Sequence, residues 1–397
     1  MFSRNGKISE KQMRRMLVLS VFAGSIFVIP YLSARLFKAG IFPGLLVFCV
    51  LSCIYVSCIY GIGAWYEKKG DSGGFIKVLE DTGAAGKGLL LLQVIRLLFR
   101  LAFYIILAIS ILGEAQVPFM QEGGQGSIAN LFVVLPLLLA ALYGANRNVE
   151  KQGRIHEMIF WVLFVPFIVV ILFGLREVDY RVFVPHWDAS FPKLVLYGYA
   201  LLTFILPVEN YLYLRPALQK RKTTVKKEKA EDGTEQGSSL NGKKQNLWVS
   251  YTAVLMTILL TVVLTLFLLG IYGVNGAGKE EMVTIAIMRY IRLPFGVLER
   301  FDVLMVWFFM TGCFILICTT LYYAGFLLKL LCKRIKRIWL LIAVLAVSLG
   351  IVMSLPEYSG CVMLFLFYGA ILDIPLSLVI PLLGMGLAKQ ETEEEEV

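Results

Sequence analysis

The sequence predicts an all-α integral membrane protein of about ten transmembrane helices, with the first and the sixth broken part-way along. Three observations carry that prediction. The chain is 58% hydrophobic and only 17% charged, with a mean hydropathy of +0.76, far too apolar for a soluble domain. Apolar stretches recur at about the 20 residues that a bilayer span needs. The basic residues fall on alternate connections, as the positive-inside bias requires.

The ten segments lie near 16–37, 41–65, 88–113, 128–145, 156–174, 192–213, 247–271, 301–328, 338–355 and 361–387. The first is too long for a cleaved signal peptide, lacks a small-residue cleavage site and runs into Arg35 and Lys38. It also interrupts itself. Gly24 stands between Ala23 and Ser25, and Pro30 follows six positions on. In hydrocarbon every backbone N–H and C=O must be bonded, so an interrupted helix survives only against protein or a wet cavity. The second segment holds Cys49, Cys53 and Cys58; the chain's seven cysteines are odd in number and sit in or beside apolar segments, which argues against a disulfide framework. Cys49 and Cys53 share a helix face without a histidine, so they are packing residues rather than a metal site.

The glycine-rich connection 70–88 is amphipathic around Phe75-Ile76-Lys77-Val78-Leu79, which suits a short interfacial helix. Segment three sets Arg96 and Arg100 four apart on one face. There they snorkel, pair with inner loops, or line an inner pathway. Segments four and five are the shortest. Segment six repeats the pattern of the first, with Gly198 followed by Pro207 in one helix. After it, residues 215–246 turn from basic to Glu/Gly/Ser-rich, a composition expected to stay disordered. Between segments seven and eight, 284–292 is apolar on one face and resembles a surface helix; 388–397 is an acidic, solvated tail.

The net charge of +10 is topology rather than a nucleic-acid signal. With the N-terminus in the cytoplasm, about 27 of the 38 Lys and Arg fall inside, about 9 outside and two within a span. Residues 1–15, the 215–246 loop and the tail are then cytoplasmic, and 279–300 is external. The sequence has no Walker loop, HExxH or CxxC pair and only two histidines, so no ATP-driven or metal chemistry is expected, and no cofactor. No nucleophile, base and orienter can be assembled, so the chain reads as no enzyme.

Paired interruptions in segments one and six point to a site near the membrane midplane, where half-helix ends face a ligand. The alternative is that Gly24 and Gly198 merely let helices pack closely. The ligand-binding candidates are Ala23, Gly24, Ser25, Tyr104, Tyr197, Gly198 and Tyr199. Thr319 and Thr320 are adjacent hydroxyls in segment eight, suited to a cation or to bonding the preceding turn. Asp373 lies near the middle of segment ten, where a carboxylate must be protonated, paired or on a wet path. Glu209 sits near the inner end of segment six and reaches the interface in the simplest case.

The broken first helix, the run Tyr143-Gly144-Ala145-Asn146-Arg147-Asn148-Val149-Glu150 leading to Arg154, and Leu298-Glu299-Arg300-Phe301-Asp302 opening segment eight resemble the spore-germination B-subunit family. That family belongs to the amino acid–polyamine–organocation transporter superfamily. The likeness runs from about Lys7 to about Leu387, with Ala200 where relatives often carry an acidic residue. It implies a LeuT-like 5+5 inverted repeat, with repeats near 16–175 and 190–355 inside a transmembrane domain of 16–387. It also implies a pocket for a small nutrient such as an amino acid, A and C partner subunits, and residence in the cell membrane or inner spore membrane. The expected function is the nutrient-binding membrane subunit of a germinant receptor; the alternative is an amino-acid permease driven by protons or sodium.

Overall fold

Ser9 starts the first helix by a capping box: its Oγ accepts the Gln12 N–H at 3.3 Å, while Gln12 Oε1 accepts the Ser9 N–H at 3.0 Å. A computed structural model describes residues 7–69, 74–116, 128–174, 178–179, 190–218, 235–279, 282–290, 301–354 and 358–395. Among the described residues the architecture is helical, and the one β-type pairing is an isolated bridge between Ile8 and Leu218.

In chain order the helices are α1 (Glu10–Ile26), α2 (Ile29–Phe37), α3 (Ile41–Lys69), α4 (Gly74–Asp81), α5 (Gly83–Gln116), α6 (Ile128–Ala145) and α7 (Val149–Gly174). They continue with α8 (Phe191–Leu201), α9 (Asn210–Leu214), α10 (Glu235–Tyr272), α11 (Val274–Ala277), α12 (Val283–Tyr290), α13 (Phe301–Leu331), α14 (Arg337–Met353), α15 (Tyr358–Tyr368) and α16 (Ile374–Glu395).

Among the described residues, five stretches are long and apolar enough to cross a membrane: 41–68, 83–113, 248–272, 306–331 and 359–387. They become seven if two bent pairs, 10–37 and 191–217, each count as one span. All ten segments expected from the sequence contain helix, α6, α7 and the 17-residue α14 among them. The chain is a multi-pass membrane protein. Its outward faces fit a lipid solvent: Met158, Trp161, Leu172, Trp307, Trp339, Phe367 and Ile371 are exposed, while the inward faces of the same helices are buried.

Helices form where two surface helices were expected: α4 turns Phe75, Ile76 and Leu79 inward, and α12 begins with Val283, Thr284 and Ile285 all buried. In the 215–246 stretch a 3-10 turn covers Arg215–Ala217, and α10 begins at Glu235. Residues 219–234 lie outside the described residues. The acidic tail is likewise helical through Glu395.

Packing places the broken first span in the middle. α1 lies against α7, α10 and α13; α5 lies against α6, α13 and α14; α3 lies against α8 and α10. Every side chain from Met16 to Ala34 is buried. An interrupted helix in hydrocarbon therefore has protein on all sides.

Candidate functional site

The first break falls at Phe27 and Val28, where α1 and α2 meet at 45°. Gly24 itself is still helical. Proline sets the position: Pro30 occupies the first turn of α2, where its missing N–H costs nothing, and the ladder stops just before it. The freed groups find local partners. Val28 N–H donates to Ser25 O at 3.2 Å, and Ile26 O accepts the Thr284 hydroxyl of α12 at 3.0 Å.

The second break is longer. After α8 the chain runs as 3-10 turns over Leu202–Phe204 and Leu206–Glu209 into α9, with a bend of 54°. Ile205 N–H reaches Leu202 O at 2.9 Å and Val208 N–H reaches Ile205 O at 3.0 Å. The two breaks touch. A Cβ on Gly24 would sit 3.2 Å from Phe204 O and 3.8 Å from Pro207 Cγ, so the hydrogen of Gly24 lets the two backbones meet.

A third irregularity lies beside them. Residues Gly369–Asp373 form a π-helical turn between α15 and α16, ahead of Pro375. A Cβ on Gly369 would overlap Thr203 of the second break, and the Tyr199 hydroxyl donates to Ala370 O at 3.0 Å. The last span is thus stitched to the broken sixth.

Between these two elements and α5 lies a buried charge cluster. Arg96 Nε donates to Asp373 Oδ1 at 2.7 Å, and its Nη2 donates to Glu209 Oε2 and to Asp373 O, each at 3.0 Å. Arg100 Nε donates to Asp373 Oδ2 at 2.6 Å, Nη2 to Asp373 Oδ1 at 3.0 Å, and Nη1 to Glu209 Oε1 at 2.5 Å. Gln93 accepts from Arg96 at 2.5 Å and donates to Glu209 at 3.3 Å. All four ionic side chains are at most 3% exposed. Two guanidinium groups and two carboxylates balance, which is the condition for holding such groups inside a membrane protein.

The sequence-derived candidates separate on these contacts. Ala23, Gly24 and Ser25 are buried at the end of α1, and Ser25 Oγ lies 2.7 Å from Val21 O and 3.2 Å from Thr261 Oγ1 of α10. Tyr104 is buried one turn beyond Arg100. Tyr197 meets the Phe37 ring at 6.2 Å. Gly198 faces α3, where a Cβ would lie 3.2 Å from Phe48 N and from Val47 Cγ1. Thr319 bonds across to α7: its hydroxyl lies 3.0 Å from His156 Nε2, while His156 Nδ1 lies 2.8 Å from Gln152 O. Thr320, the next residue, is buried. Arg96, Arg100 and Glu209 were visible as charges in apolar segments, yet their convergence on Asp373 was not. The missed signal was the six-residue Gly-to-Pro spacing of Gly24–Pro30, which recurs at Gly369–Pro375 around Asp373.

The sequence model of a family described as spore germination protein matches residues 238–359, from within α10 into the start of α15. This is the family whose likeness the sequence carries, and the matched segment includes the Leu298–Asp302 motif, Thr319 and Thr320. No curated protein sequence matches the chain.

Proposed function

We propose, from a membrane protein of the spore germination family over residues 238–359, that the chain is the nutrient-binding membrane subunit of a germinant receptor. Its ligand is a small amino acid. The observation that supports this most is the contact of the two breaks through Gly24 and Phe204, inside a fully buried shell. A zwitterion needs acceptors for its ammonium group and donors for its carboxylate. The helix ends at the first break bring carbonyls and N–H groups within one turn, where a ligand would replace local partners such as the Thr284 hydroxyl on Ile26 O. Ten spans in a 5+5 inverted repeat, with both termini in the cytoplasm and A and C subunits as partners, complete the proposal.

A permease reading is favoured by one observation, the ionisable cluster around Asp373, because such groups inside membranes often mark ion pathways. One experiment separates the two. Purified protein in proteoliposomes is given labelled amino acids with and without a proton or sodium gradient. A receptor binds without accumulating label, whereas a permease accumulates it only under the gradient. Absence of saturable binding under either condition would remove both.

A further inference from the structure

Away from the breaks, α1, α7 and α10 enclose a groove of about 310 Å³. α1 and α7 run in parallel there, since Arg15 pairs with Glu157 near one end and Phe22 stacks on Phe164 further on. The wall is apolar over most of its length, with Val18, Phe160, Phe164, Met256 and Leu260. Arg14 and Arg15 stand at the end nearest the start of α1. Arg15 is fixed by its ion pair with Glu157 and by the Phe160 ring, 5.5 Å from its guanidinium carbon. Arg14 has no ion-pair partner among the described residues, so among these residues the ion pairs at the mouth of the groove leave one positive charge in excess. Two tryptophans beside the groove's wall residues, Trp161 next to Phe160 on α7 and Trp248 ahead of Ala253 on α10, are exposed, as suits side chains at a lipid boundary.

We propose that this groove binds one anionic phospholipid, with its phosphate on Arg14 and Arg15 and one acyl chain along Val18, Phe164 and Leu260. Charge complementarity selects the occupant. A guanidinium fork bonds phosphate in two places, and a net-negative headgroup leaves no ammonium to oppose the arginines. The apolar wall offers nothing to a soluble phosphate but matches a hydrocarbon chain. The inference needs only that the chain crosses a membrane and is independent of what it binds at the breaks. Its consequence is mechanical, because the lipid would lean on α1, the first half of the broken span.

The test is native mass spectrometry of the full chain, released from detergent micelles doped with equal phosphatidylglycerol and phosphatidylcholine. The wild type should retain phosphatidylglycerol preferentially. Arg14→Gln should lower the retained fraction by about fivefold, the factor expected for one interfacial arginine. Ala253→Trp, which fills the groove from α10, should lower it too, and Lys333→Gln, on an exposed lysine paired with Glu80, should not. The two groove variants lie on different helices, so a folding defect in one leaves the other as the test. Equal retention of both lipids, wild-type retention by the groove variants, or a second copy of the chain held on this face in place of lipid would overturn the proposal.

Discussion

Asp373 receives three side-chain hydrogen bonds from two arginines, and Glu209 receives two more from the same pair. Removing one member leaves a charge buried without its partner, which costs about 3–5 kcal/mol. Asp373→Ala should therefore lower the unfolding temperature in detergent sharply, and Asp373→Asn should do so as well, since it leaves two positive groups against one carboxylate. Combining Asp373→Ala with Arg100→Met restores the balance and should recover part of the loss; simple addition of the two single losses would show that the four groups do not act together. A second residue-scale prediction concerns Thr319. The His156 Nδ1 contact with a backbone carbonyl puts the proton there, so Nε2 accepts from the threonine. Thr319→Val should cost about 1–3 kcal/mol by leaving that nitrogen unpaired. If Thr319 instead held a cation, added sodium would raise the unfolding temperature of the wild type but not of the variant. Much of this was half legible. The four-residue spacing of Arg96 and Arg100 and the depth of Asp373 stand in the sequence, but Glu209 and Asp373 lie 113 and 277 residues from Arg96, and no periodicity encodes a meeting at that separation.

At the scale of elements, the two Gly–Pro pairs marked both breaks correctly to within a few residues. The interruption lies beside the proline and not at the glycine, because a glycine only weakens a helix by about 1 kcal/mol whereas proline removes a donor and clashes with the preceding turn. Gly24 and Gly198 looked equivalent in the sequence but face different neighbours, Phe204 O and the backbone of Phe48. Their variants should differ accordingly. Gly24→Leu should abolish ligand response in a protein that still reaches the membrane, and Gly24→Ala should weaken it, since Phe204 O has to give by a few tenths of an ångström. Gly198→Leu should instead pry α8 from α3 and lower stability. Ligand titration alongside thermal unfolding of each purified variant separates the outcomes, and normal binding by Gly24→Leu would return that glycine to simple packing. The π-helical turn went unread because an insertion of one residue leaves the apolar pattern of a lipid-facing helix unchanged.

For the whole molecule, composition alone indicated a multi-pass helical protein, and ten segments were legible as helix. Their number as spans was less so, because hydropathy cannot tell a short crossing helix from a buried one. Sidedness can be checked directly. In a cysteine-free background, Lys279→Cys should react with an impermeant thiol reagent in intact cells and Lys333→Cys should not; both side chains are exposed, so accessibility reports the side of the membrane. The reverse pattern would invert the topology. The balanced cluster has a further consequence for the molecule in its membrane. An uncompensated charge moved across the bilayer exchanges about 2.3 kcal/mol with each 100 mV of transmembrane voltage, whereas two guanidinium groups and two carboxylates moving together exchange almost nothing. Motion of the sixth and last spans would therefore be electrically silent only if α5, which carries both arginines, moves with them. Clamping liposomes at opposite potentials should leave ligand affinity unchanged in the wild type, and Asp373→Asn, with one positive charge in excess, should make it depend on the sign of the potential.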